Sequence, residues 1–120
     1  MKTSIPAIEK VIAERADSTE KNINIRLFWA YRHSLEAGND LINFYDIIWE
    51  REIEDIVENM NYYKINEFSI SRNFSGLITN LAAFDKYGFT MAGITDVMET
   101  YIDLTTNERT VLKAIRMVRK

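Results

Sequence analysis

The sequence has no cysteine, one proline, four glycines and one histidine. Without cysteine there is no disulfide, no thiolate metal site and no cysteine nucleophile, a composition that suits a reducing compartment. A helical di-metal site needs Glu-x-x-His twice; the lone His33 has Ala30 three residues before it, so that site is excluded. So few prolines and glycines predict few tight reversals and long elements. No apolar run approaches the ~18 residues that cross a bilayer. Met1 to Ala7, followed by charged residues, lacks the apolar core of a signal peptide. Gly-rich phosphate loops, G-x-S-x-G, H-E-x-x-H and EF-hand spacing are all missing. Nor is there an excess of base: fifteen Lys and Arg face eighteen Asp and Glu, a net charge of -3. That balance argues against direct, nonspecific binding to nucleic acid or to an anionic membrane.

What is present reads as one ordinary domain. The chain has 120 residues, 47% hydrophobic and 28% charged. A single globular unit over residues 1–120, cytoplasmic and without cofactor or metal, is the expectation.

Periodicity predicts a mainly α fold, a single-domain bundle of about five helices. The first spans about Pro6 to Ala16, with proline in its first turn. The second spans about Ser18 to Ala37, after an Asp17–Glu20 capping box and before a Gly38 stop. Its stripe is Ile23, Leu27, Tyr31 and Leu35, although Ile23 to Tyr31 also alternates as a strand would. The third and strongest runs from Asp40 to about Tyr62, roughly 34 Å long, with Leu41, Tyr45, Ile48, Trp49, Ile53, Ile56, Val57 and Met60 at helical spacing on its apolar face. Lys64 to Arg72 is ambiguous, because Phe68 and Ile70 alternate with Ser69 and Ser71. The fourth spans about Asn73 to Tyr87, with Leu77, Ile78, Leu81 and Phe84 on one face and Gly88 as its stop.

From Phe89 onward two readings compete. As helices, Ile94, Val97, Met98, Tyr101 and Ile102 share a face, and Thr105 with Glu108 caps a last helix carrying Val111, Leu112, Ile115 and Val118. The alternative is an α+β fold with a C-terminal β-hairpin around residues 97–118, turning at Thr106-Asn107-Glu108 with Asn107 left-handed.

Three constellations are candidates for function. Asp46, Glu50, Glu54 and Glu58 recur every fourth residue and form an acidic stripe on the third helix. Such a stripe suits a basic partner, such as a nucleic-acid-binding protein. Arg109, Lys113, Arg116 and Lys120 form a basic stripe if the C-terminus is helical. The stretch Leu104 to Ile115 resembles the opening helix of helix-turn-helix regulators, although no second recognition helix follows it. Trp29, off the main stripe of its helix and close to Arg26 and Arg32, has the composition of a hydrophobic interface anchor. His33 reads as a surface histidine beside Glu36. Asp46 and Glu50 read as solvated rather than as a catalytic acid/base pair.

The expected function is therefore a non-enzymatic protein–protein interaction module, a small regulator or inhibitor that covers a partner's surface. One specific version is a phage or mobile-element inhibitor of a nucleic-acid enzyme, similar in kind to anti-CRISPR proteins. A DNA-binding regulator using the C-terminal basic helix is the other alternative. Opposed acidic and basic stripes also predict a homo-oligomer.

Overall fold

The computed structural model describes residues 24–72 and 75–120. The helix expected over residues 6–16 and the Asp17–Glu20 cap lie outside them. The fold is α+β, which corrects the expectation of a mainly α bundle. The described elements are α1 (Ile25–Ala37), β1 (Ile42–Phe44), α2 (Glu50–Tyr62), β2 (Glu67–Ile70), α3 (Leu77–Lys86), β3 (Phe89–Asp103) and β4 (Glu108–Arg119). The strands form one mixed sheet in the order β1-β2-β4-β3, with β1 parallel to β2 and the other pairs antiparallel.

α1 begins at Ile25 because Asn24 caps it: the Asn24 side chain accepts hydrogen bonds from the backbone N–H groups of Arg26 and Leu27. Gly38 ends it at φ 79°, a left-handed conformation that glycine adopts without a Cβ clash. Its buried face is Leu27, Ala30, Tyr31, Ser34 and Ala37, whereas Leu35 of the expected stripe is exposed and Ile23 lies outside the described residues. Small residues on this face let the helix approach β1 closely.

The helix expected from Asp40 is split. Its first part is β1, in which Ile42, Asn43 and Phe44 are all buried. Asp46 Oδ1 accepts from its own neighbour Ile47 N–H at 2.7 Å, a local bond that competes with helix formation. The helix restarts at Glu50, where Glu52 Oε1 reaches back to accept the Trp49 N–H at 3.0 Å. Both halves carry helical spacing, but residues 42–44 have a parallel partner in β2 and pair with it.

Register then sorts the sheet into rows. Ile42 faces Phe68, which faces Met117; Phe44 faces Ile70, which faces Ile115. Together with Phe89 these rows meet Leu27 and Tyr31 of α1, Ile53, Ile56 and Met60 of α2, and Phe84 of α3 in one core. Phe68 is its centre, with ring centroids 5.5, 4.9 and 5.1 Å from Phe44, Phe84 and Phe89. The row between them is polar. Ser69 Oγ donates to Asn43 Oδ1 at 2.7 Å, Asn43 Nδ2 donates to Ser71 Oγ at 2.9 Å, and Asn43 and Ser69 are buried.

Among the described strands, the outermost two, β1 and β3, are each covered at one backbone position. Ser34 Oγ accepts from Asn43 N–H at 2.8 Å on β1. On β3, the Asn39 side chain donates to Met98 O at 3.2 Å and accepts from Met98 N–H at 2.7 Å.

After Gly88 the structure is a long hairpin rather than two helices. Asp103 Oδ1 accepts the Thr105 N–H at 2.8 Å, Asp103 O accepts the Asn107 N–H at 2.7 Å, and Asn107 has φ 58°. Thr105 and Glu108 read as a helix cap, but Thr105 lies inside the five-residue turn closed by that backbone bond and Glu108 opens β4. α3 is shorter than expected, residues 73 and 74 lie outside the described part, and Ile78 of its stripe is 81% exposed.

Candidate functional site

The hairpin decides the fate of the basic stripe. On a strand alternate residues face opposite ways, so Arg109 and Lys113 are separated from Arg116 and Lys120. Each cation is also engaged within the chain. Arg109 donates to Glu99 O at 3.2 Å, and Lys113 pairs with Asp96 at 2.6 Å. Arg116 pairs with Glu67 at 2.9 Å, and Lys120 with Asp85 at 2.9 Å. The helical DNA-reading surface does not form. The basic half of the expected self-association goes with it.

The acidic stripe survives in part. Asp46 is not on the helix; it sits in the β1–α2 loop, 3.7 Å from Arg26. Glu50, Glu54 and Glu58 remain, all exposed on one face of α2 over about 12 Å of helix. Among the described residues none of the three makes an ion pair. Two aromatics flank them: Trp49, at the N-cap, is 51% exposed, and Tyr62, the last helical residue, is 57% exposed. The Arg51 guanidinium lies over the Trp49 ring at 5.4 Å. Sequence reading missed Trp49 as a surface residue, because helical spacing from Asp40 placed it on the buried face.

Trp29 is 46% exposed and lines a pocket of about 240 Å³ with Ile25, Ala30, Phe44 and Tyr45. Arg26 and Asp46 supply its polar part. An aromatic row backs it: Trp29 to His33 at 5.8 Å, then His33 to Tyr45 at 4.8 Å between ring centroids. His33 therefore belongs to this row rather than to an isolated contact with Glu36. Glu52 of α2 holds Arg26 at 3.2 Å, so the pocket opens beside the first turn of the acidic helix. Arg26 Nε is buried with no hydrogen-bond partner among the described residues. An unpaired buried donor costs about 1–3 kcal/mol. Arg26 lies three residues before Trp29 on the same helical face, the spacing from which the sequence placed them together.

Residues 26–119 match the family model described as Domain of unknown function (DUF7698). The chain belongs to this family. The match covers α1 except its first residue, Ile25, and all four described strands, so α2 and the rest of the pocket lining lie within the DUF7698 domain. No curated protein and no solved structure matches the chain. Among the described residues of the domain, no helix is long and apolar enough to cross a membrane, and no three His, Asp or Glu side chains cluster as metal ligands.

Proposed function

We propose that this protein is a non-enzymatic protein-binding module that docks a basic partner on the outward face of α2. The observation that carries the reading is the set Glu50, Glu54 and Glu58, exposed and without ion pairs among the described residues, between exposed Trp49 and Tyr62. Unpaired carboxylates at regular spacing complement a row of Lys and Arg, and aromatic residues are enriched where interfaces bury surface. The partner class is a basic protein, including nucleic-acid-binding proteins, whose cationic surface the helix would cover. A cytoplasmic setting fits the cysteine-free sequence. An acid/base role for Asp46 and Glu50 has little support, because Asp46 is held by Arg26 and Glu50 lies open to solvent.

The test is charge reversal. Wild type and Glu54→Lys are compared as baits in nuclease-treated lysate, with circular dichroism to show that both are folded. A protein retained by wild type and lost from Glu54→Lys supports docking on α2. Identical captures from the two baits refute it.

A further inference from the structure

We infer that the cleft between the β3–β4 hairpin and the ends of β1 and β2 is a binding site for a free α-amino acid with an apolar side chain. Its carboxylate lies on Arg72 and the Ser71 hydroxyl, and its ammonium group lies on Glu99. None of the lining residues belongs to α2, so the site does not depend on the docking face proposed there.

Unequal strand lengths create the cleft. β2 pairs with β4 only from Glu67 to Ile70, opposite Val118 to Ile115. β3 and β4 stay paired as far as Asp103 and Glu108. The hairpin therefore runs on past the end of β2 and of its parallel neighbour β1, leaving a corner between them. The corner holds a cavity of about 360 Å³, within the range of about 300–1,000 Å³ for small-molecule sites. Tyr45 and Leu112 supply its apolar wall.

Glu99 reaches the cleft through an irregularity in β3. The β3–β4 register shifts between Met98 and Ile102, and a bulge re-aims the side chains within it. Arg109 Nη1 donates to the Glu99 main-chain O at 3.2 Å, which fixes the backbone and leaves the carboxylate to the cleft. On the β2 side the hydrogen bonds run in one direction. Ser69 Oγ donates to Asn43 Oδ1, and Asn43 Nδ2 donates to Ser71 Oγ. Ser71 thus accepts from Asn43, and its own hydroxyl proton has no acceptor among the described residues. The exposed Arg72 follows it in the same lining.

Charge selects the ligand. Arg72 and Glu99 line one cleft with opposite charges, yet neither makes an ion pair among the described residues. An anion alone would be repelled by Glu99, and a cation alone by Arg72; a small molecule carrying both charges satisfies both. Asp46, also in the lining, lies 3.7 Å from Arg26, which offsets its charge. A carboxylate accepts from a guanidinium and a hydroxyl together, whereas the second negative charge of a phosphate would go unmatched. An ammonium group, with donors and no acceptor, suits the single carboxylate of Glu99. An apolar side chain against Tyr45 and Leu112 completes the ligand.

The experiment uses the full chain and five probes, L-valine, L-leucine, L-isoleucine, L-methionine and L-phenylalanine, followed by ¹H–¹⁵N spectra. At least one is expected to bind saturably, shifting the amides of Ser71, Arg72 and Glu99 and leaving those of α2 in place. For that probe, the acid lacking the amine and the amine lacking the carboxylate should each bind about ten- to a hundredfold more weakly, as loss of one charge-assisted contact implies. Arg72→Gln and Glu99→Gln should each weaken the amino acid by a similar factor, with circular dichroism showing both variants folded. Glu99→Gln should not weaken the amine-free acid. Absence of saturable binding by all five probes would overturn the site, as would shifts confined to other parts of the sheet or to the helices. An amine-free acid that binds as tightly as its amino acid, or an amino acid indifferent to Glu99→Gln, would overturn it too.

Discussion

Arg116 places its Nε and Nη2 at 3.1 and 2.9 Å from Glu67 Oε2, joining β4 to β2 across the sheet. This contact takes an arginine that would otherwise be the centre of a basic surface. Arg116→Ala should destabilise the protein by about 0.5–1 kcal/mol, since both side chains retain part of their exposure. Urea unfolding will measure it, and a loss that does not shrink in high salt would contradict an ionic origin.

Asn43 bridges two hydroxyls, from Ser69 and Ser71, with its side-chain amide. Asn43→Ala should cost about 2–3 kcal/mol, because it leaves the buried Ser69 hydroxyl without its acceptor in a low-dielectric row. Ser69→Ala should cost less, as Asn43 keeps its bond to Ser71. The reverse order in chemical denaturation would show that the row is not organised around Asn43.

Among the described residues, the exposed Lys64 and Asn107 hold positive φ, both at 58°. Lys64→Gly should stabilise by up to about 1 kcal/mol by relieving the left-handed strain. Asn107→Val should destabilise by about 1–2 kcal/mol, because a β-branched residue tolerates this region poorly. Melting temperatures moving in opposite directions are the expected result; a shared direction would place the hairpin turn in another conformation.

Phe68 is fully buried, with three aromatic neighbours. Phe68→Ala should cost about 3–5 kcal/mol, a large part of the roughly 5–15 kcal/mol that holds a domain folded. Phe68→Leu should recover most of that. Near-ultraviolet circular dichroism and thermal unfolding will distinguish a loosened core from a local cavity.

Much of this molecule was legible before its structure. Gly38 and Gly88 end helices because local backbone geometry favours glycine there. The left-handed Asn107 and the outward set Glu50, Glu54 and Glu58 follow from turn chemistry and helical period alone. The absence of thiol chemistry and of phosphate-loop motifs is also a property of the sequence.

The tertiary structure decided the rest. Ile42–Phe44 and the segment from Phe89 onward carry apolar residues at spacings that serve a helix or a strand. Their state depends on partners distant in the chain: Phe68 for Ile42, and Met117 for Phe68. The same distance hid the fate of the cations. Lys113, Lys120 and Arg116 find their carboxylates 17, 35 and 49 residues away. Local propensity acts over a few residues, whereas strand pairing and charge pairing join residues that only folding brings together.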